Sequence, residues 1–183
     1  MYEYATYSDL RSINEGMLSE ERSRVVKAAA DRAVNGSTFL SHSSKDSEYL
    51  PAVIRILENH GARVYVDKKD PNLPPTTSRE TAKILRSRIQ AINKFILFAT
   101  TNSKDSKWMP WELGIADGHR TPRNTAIFPS AENQSDVAWS EREYLGVYDR
   151  IVYGDLQGFE KPLWMVLNQE ENTATPLRKW LER

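Results

Sequence analysis

Short apolar runs alternate with longer amphipathic segments along most of this chain. The runs predict strands, at residues 38–41, 63–66, 94–99, 125–128 and 150–153. Between them, apolar positions recur every three or four residues, which predicts helices over residues 46–60, 81–91 and 111–118 and a weaker one at 139–145. After the fifth strand, we expect a helix that begins at Pro162 and a short one that carries Leu177, Trp180 and Leu181.

The regular alternation of strand and helix predicts a parallel sheet with helices on both faces. Residues 94–99 are almost entirely apolar, as in a strand that is buried on both sides. Ligands bind such sheets at the carboxyl ends of the strands. We therefore expect the segments that follow three strands, residues 41–44, 67–75 and 101–112, to form one cleft.

The first 36 residues depart from this alternation. Tyr2, Tyr4 and Tyr7 lie in a segment with little periodicity. Ser19, which precedes two acidic residues and then an apolar stretch, predicts a capped helix that ends near residues 35–36. We expect this part of the chain to pack on the main domain or on a partner, and favour packing on the domain.

Length and composition narrow the possible functions. The 183 residues suit one domain, and equal numbers of acidic and basic residues (25 each) argue against electrostatic binding to nucleic acid or to an anionic membrane. The absence of cysteine excludes disulfides, zinc–thiolate sites and thiol nucleophiles. Without a signal sequence or an apolar run of the roughly 18 residues that a membrane span needs, a cytoplasmic location is expected.

Several enzyme classes lack their motifs. The sequence contains no glycine-rich dinucleotide or phosphate loop, no HExxH metal motif and no GxSxG nucleophile elbow. The three histidines, His42, His60 and His119, have no metal-ligand spacing. We expect neither a metal ion nor a separate cofactor.

Trp108 and Glu112 form the most informative pair in the chain. They are four residues apart, so both side chains share one face of the helix that follows the third strand. In one interpretation, Glu112 is a first-turn acid stabilised by the helix dipole, Ser106 caps the helix by accepting from the Met109 amide, and Trp108 belongs to the core. In the other, the carboxylate and the indole hold a ribose.

The second interpretation is chemically sufficient for one reaction. When an N-glycosidic bond to a pyridinium ring breaks, the leaving group departs neutral and needs no general acid. A single carboxylate such as Glu112 can therefore stabilise the oxocarbenium-like transition state, where ordinary glycoside hydrolysis uses two.

Other residues near the strand ends leave two interpretations open. His42 either stacks on a ring or caps the next helix, and one of Ser43 and Ser44 is expected to cap it. Asp67 either forms a turn or lines the cleft. The loop over residues 71–75, which contains three prolines, is stiff and suits a lid or a partner contact.

Four segments together resemble the Toll/interleukin-1 receptor (TIR) domains of bacteria. They are residues 39–46, 64–67, 73–74 and 106–114, in the order that the family shows. The resemblance runs from about residue 38 to residue 153. It implies a flavodoxin-like fold with a five-stranded parallel sheet, and it divides the chain into an N-terminal helical extension (1–36) and a TIR domain (37–183).

The resemblance also implies a reaction, cleavage of NAD at the nicotinamide–ribose bond. Glu112 matches the essential glutamate of the enzymatic branch. The candidate substrate-binding residues are Trp108, His42, Ser43, Asp67, Lys68 and Leu73. The sequence departs from the family at His42, where a tyrosine or phenylalanine is commoner, and at Ser43, where an arginine or lysine often stands.

Partners follow from the same resemblance. TIR enzymes complete the cleft by head-to-tail self-association through the loop after Asp67, and the sensor subunits of Thoeris-type antiphage systems send a cyclic or conjugated ADP-ribose signal to a separate effector protein. Two alternatives stay open: a non-enzymatic TIR adaptor, and an enzyme like the nucleoside deoxyribosyltransferases, which share this layered fold.

Overall fold

One mixed sheet extends through the chain. The computed structural model describes residues 2–67, 79–106, 108–119, 122–137 and 143–183. Within them, the strands are β1 (Tyr2–Glu3), β2 (Ala5–Thr6), β3 (Thr38–Ser41), β4 (Val64–Tyr65), β5 (Lys94–Ala99), β6 (Thr125–Ala131), β7 (Asp149–Gly154), β8 (Leu163–Asn168) and β9 (Thr173–Pro176). The helices are α1 (Tyr7–Glu15), α2 (Ser19–Asp31), α3 (Leu50–Asn59), α4 (Arg79–Ala91), α5 (Trp108–His119) and α6 (Leu177–Glu182).

Five of these strands form the parallel part of the sheet. Their order is β4-β3-β5-β6-β7, and each neighbouring pair is parallel. The order places β5 at the centre, between β3 and β6, and all six residues of β5 are buried. The predicted flavodoxin-like fold is confirmed, and all five predicted parallel strands are present.

Helices cover both faces of the sheet because successive strand residues point to opposite sides. On one face, Leu40, Ile96 and Phe128 share a buried cluster with residues of α1, α2, α3 and α6. On the other face, Phe39 and Phe95 join α4 and α5. Within the part of the chain that the structure describes, no helix has the length and apolarity to span a membrane.

The segment after Pro162 is a strand, so the helix expected there is wrong. Residues of β8 pair antiparallel with β7 over five positions, from Gly154 opposite Leu163 to Arg150 opposite Leu167. Backbone pairing with an existing edge strand outweighs the weak local preference for a helix. The predicted final helix is confirmed as α6, and Leu177 and Trp180 are its buried residues.

The N-terminal residues form more structure than their pattern predicts. The helix predicted after Ser19 is present as α2, but Leu18 rather than Ser19 is its N-cap residue, and the helix ends at Asp31 rather than near residue 36. Gly36 has a φ of +71°, so the chain turns there instead of continuing the helix. The preceding helix α1 was not expected.

Strands β1 and β2 lie where β6 and β7 separate. Strands β6 and β7 pair at only two positions, Ala126 with Asp149 and Ile127 with Arg150. Further along, β2 pairs with the end of β6 and β1 pairs with the end of β7. The N-terminal segment thus completes the carboxyl edge of the sheet, and it packs on the domain.

Other boundaries shift modestly. Residues 44–46 form a 3₁₀ turn, so α3 begins at Leu50 instead of residue 46. Pro51 lies in the first turn of α3, where no intrahelical partner for its nitrogen is needed. Of the weak helix predicted at 139–145, residues 139–142 lie outside the described residues, and residues 143–147 form a 3₁₀ helix.

Candidate functional site

Glu112 and Ser41 meet at the carboxyl end of the central strands. Ser41 ends β3, and its hydroxyl donates a hydrogen bond to Oε2 of Glu112, which lies on α5. Both are buried, since Glu112 is 7% exposed and Ser41 is 2% exposed. The carboxyl group therefore lies in the interior of the strand-end region. The alternative of a first-turn acid is wrong, because α5 begins at Trp108 and has no acidic residue in its first turn.

The local sequence explains how α5 presents this group. Ser106 Oγ accepts from the Met109 amide at 3.2 Å, which confirms the predicted cap. Met109, Leu113 and Ala116 are buried against the sheet at helical spacing. Glu112 is adjacent to that apolar stripe, so the packing that anchors the helix also turns its carboxyl group towards β3.

Trp108 lies one helical turn before Glu112 and is half-buried. Its ring packs edge-on against Trp111, with 5.5 Å between the ring centroids and 71° between the planes. Both indoles contact the cluster formed by α4 and α5. Trp108 thus packs on the core while remaining partly exposed, and its role in holding a ribose stays a prediction.

Asp46, which the sequence analysis did not single out, joins the β3–α3 connection to the β5–α5 connection. Asp46 is fully buried, although it follows β3 in a polar stretch. Thr100 Oγ1 donates to its Oδ2 at 2.7 Å, and Asn102 Nδ2 donates to its Oδ1 at 2.6 Å. The partners lie more than fifty residues away, so no local pattern identifies them. The contacts tie the β3–α3 connection to the β5–α5 connection.

His42 and Ser43 follow Ser41 directly. Ser43 is the cap of the next turn, since its Oγ accepts from the Lys45 amide at 3.3 Å. His42 is half-buried, with Nδ1 at 3.4 Å from the carbonyl oxygen of Leu40. Because Ser43 supplies the cap, a ring-stacking role for His42 remains the prediction for that residue.

Asp67 lies two residues after β4, the strand next to β3, and its carboxyl group accepts from two donors. Its Oδ1 accepts from Arg88 of α4 and from the Tyr65 hydroxyl, the latter at 3.0 Å. Burial, followed by the nearby charge of Asp67, raises the pKa of Tyr65. Asp67 therefore links β4 to α4 at the carboxyl edge. Lys68 and Leu73 lie outside the described residues.

The structure joins two of the three segments expected at the cleft. Residues 41–46 and 100–112 are linked through Ser41, Glu112 and Asp46. Asp67 follows β4, which is the immediate neighbour of β3. Among the described residues, no cluster of three or more histidine, aspartate or glutamate side chains suits a metal ion.

Two comparisons with known proteins agree with this geometry. The sequence profile described as the TIR domain matches residues 38–163. A protein of Bacillus cereus (strain MSX-D12) named as a probable 3' cyclic ADP-D-ribose synthase ThsB' is 34% identical over 148 residues, which cover 79% of this chain and 75% of the relative. The region that the TIR profile matches includes β3, α5 and every candidate site residue.

Proposed function

This chain belongs to the TIR domain family, and on that premise we propose that it cleaves the nicotinamide–ribose bond of NAD in bacterial antiphage defence. The products are nicotinamide and an ADP-ribose derivative. The observation that carries the proposal is the buried carboxyl group of Glu112, held by Ser41 at the carboxyl end of the central strands.

Glu112 supplies the charge that this reaction needs. The ribosyl carbon gains positive charge as the pyridinium ring leaves, and the ring takes the bonding electrons and becomes neutral nicotinamide. A carboxylate in a site of low polarity stabilises that cation more strongly than the same group in water. Ser41 keeps the carboxyl group in place, so little reorganisation accompanies bond cleavage.

The product is proposed to be a cyclic signal for a separate effector protein. The relative from Bacillus cereus is named as a cyclic ADP-ribose synthase, which supports cyclisation over hydrolysis. Cyclisation requires that a group of the same ADP-ribosyl unit, rather than water, reaches the ribosyl cation. The indole of Trp108, which lies one turn from Glu112, suits the exclusion of water from that position.

The remaining candidate residues complete the proposed substrate site. His42 and Ser43 follow Ser41 directly, and Asp67 follows the adjacent strand, β4. Lys68 and Leu73 belong to the loop that we propose joins a second copy head to tail, so that two chains together form the cleft. The absence of cysteine suits the reducing cytoplasm, where we place the activity.

Replacing Glu112 with Gln tests the proposal. The change removes the negative charge but keeps an oxygen that accepts from Ser41, so the fold should be retained. We expect nicotinamide release from NAD by concentrated protein to fall about 10²–10³-fold, the usual cost of losing a transition-state electrostatic contact. Chromatography quantifies nicotinamide, and mass spectrometry identifies the ADP-ribose product.

Asp117→Asn is the matched control, because Asp117 is an exposed acid on the same helix. It should leave turnover unchanged. Normal turnover by Glu112→Gln would contradict the proposal. Capture of a TIR partner with no nicotinamide release at any protein concentration would favour an adaptor, and base exchange on deoxynucleosides would favour a deoxyribosyltransferase-like enzyme.

A further inference from the structure

Helix α1 precedes the region that the family profile matches, yet it contacts both connections of the candidate site. Tyr7, its first residue, is buried and stacks on Tyr49, with 4.7 Å between the ring centroids and 10° between the planes. Its hydroxyl shares a hydrogen bond with Thr101 Oγ1 at 3.2 Å. Tyr49 ends the β3–α3 connection, and Thr101 begins the 3₁₀ helix (Thr101–Asp105) of the β5–α5 connection.

Several contacts fix α1 in this place. The preceding strands β1 and β2 pair with β7 and β6. Thr6 and Asp9 form a capping box, in which the Thr6 amide donates to Asp9 at 2.8 Å and the Asp9 amide donates to Thr6 Oγ1 at 3.2 Å. Arg11 donates to the Tyr49 hydroxyl at 2.7 Å. Tyr7 is therefore held by the sheet on one side and by α3 on the other.

The residues after Thr101 lead directly to the reactive group. Asn102 donates to Asp46, and Ser106 caps α5, whose first turn contains Trp108 and whose second contains Glu112. A displacement of Thr101 would therefore be carried through one short 3₁₀ helix to the start of α5. Catalysis is sensitive to such displacements, because a shift of about 1 Å can lower a rate by about 10²-fold.

We infer that Tyr7, which lies before the matched family region, is a positioning residue for the candidate site. The Tyr7 ring stacks on Tyr49 in the β3–α3 connection, and its hydroxyl shares a hydrogen bond with Thr101 in the β5–α5 connection. Tyr7 therefore sets where α5 begins relative to β3. Tyr7 acts through Thr101. This inference rests on the proposed NAD-cleaving function, and it assigns a role to a segment outside the matched family region.

Conservative substitutions at both ends of the contact test the inference. Tyr7→Phe keeps the stacked ring and removes the hydroxyl, and Thr101→Val removes the partner. Each should lower kcat for nicotinamide release by about two- to tenfold, the equivalent of one hydrogen bond, with a smaller change in KM. The double variant should be no slower than the slower single variant, because both changes break the same contact.

Tyr4→Phe is the matched control from the same segment. The Tyr4 hydroxyl lies 2.8 Å from the carbonyl oxygen of Asn133 and 2.7 Å from that of Asp136, remote in sequence from both connections. It can lower the melting temperature as Tyr7→Phe does, but it should leave kcat unchanged. Equal kcat values for Tyr4→Phe, Tyr7→Phe and the native chain would overturn the inference.

Hydrogen exchange gives a readout that does not depend on turnover. Amides of residues 102–106 should exchange faster in Tyr7→Phe than in Tyr4→Phe, since only the former loosens that 3₁₀ helix. Unchanged exchange there overturns the inference by itself. A native chain that releases no nicotinamide overturns the proposed function, and the exchange result then decides separately whether Tyr7 orders the connection.

Discussion

The hydrogen bonds by which Asp46 joins the two connections of the site allow a quantitative prediction. Asp46→Ala removes the acceptor for Thr100 and Asn102 from a position that is fully buried. Both donors then lose a partner, and the β3–α3 and β5–α5 connections lose two of the hydrogen bonds that join them. We expect a loss of stability together with a loss of turnover.

The structure sets the size of the effect. Each hydrogen bond contributes about 0.5–1.5 kcal/mol, and a buried donor left without a partner costs about 1–3 kcal/mol. That second cost is reduced here, because Thr100 Oγ1 lies 3.3 Å from Ser103 Oγ and Asn102 is half-exposed to water. The free energy of unfolding should therefore fall by about 2–3 kcal/mol, which lowers Tm by roughly 4–12 °C in a chain of this size.

Asp46→Asn serves as the matched control. Its side-chain oxygen can still accept from Asn102, and its nitrogen can donate to Thr100, whose hydroxyl can then turn towards Ser103. Shape and most of the polar contacts are retained. The free energy of unfolding should fall by less than about 1 kcal/mol, within the range of one altered hydrogen bond.

Urea denaturation followed by circular dichroism measures both variants, with equal m values as the check that the unfolding transition is comparable. Nicotinamide release at a temperature where all chains are folded measures the effect on the site. Ordinary surface changes alter the free energy of unfolding by about 0.5 kcal/mol. If the free energies of unfolding of Asp46→Ala and Asp46→Asn differ by no more than that, the hydrogen bonds of Asp46 do not contribute the stability and the reasoning fails.

Two further predictions concern other parts of the fold. Burial, and to a lesser extent the charge of Arg183, lowers the pKa of Lys94 from 10.5 to about 8. Between pH 8 and 10.5 the unfolded chain therefore binds more protons than the folded chain, so the free energy of unfolding should rise with pH, by at most about 1.4 kcal/mol per pH unit. Lys94→Met should flatten this rise in urea denaturation series, and parallel profiles would refute it. Arg88→Gln should raise KM for NAD about two- to fivefold, because it removes the ion pair that holds Asp67. Arg86→Gln changes an exposed residue on the same helix and should leave KM unchanged. Equal KM values for the two variants would count against a role for Asp67.

The parallel sheet could be predicted because its strands are marked locally. Residues 38–41 and 94–99 appear in the structure with the predicted bounds, since each is a buried apolar run between polar segments. The cap of α5 was also predictable, because Ser106 and Met109 are three residues apart. Such features depend on neighbours in sequence.

The antiparallel strands could not be predicted in the same way. Residues 163–167 form a short apolar run, which by periodicity alone suits either a strand or a buried helix, and the strand forms because β7 offers an edge for pairing. Strands β1 and β2 contain two residues each and depend on the gap between β6 and β7. The pairing partner decides the conformation of such short segments.

The candidate site divides along the same line. Residue type, helical spacing and the family resemblance singled out Glu112 and Trp108 as candidates, because a carboxyl group and an indole one turn apart share a face of the helix. Only the folded structure showed that Ser41 holds Glu112, that Asp46 is buried between two connections and that Tyr7 spans them. Those contacts join residues dozens of positions apart, and packing of helices on the sheet is what brings them within hydrogen-bonding distance.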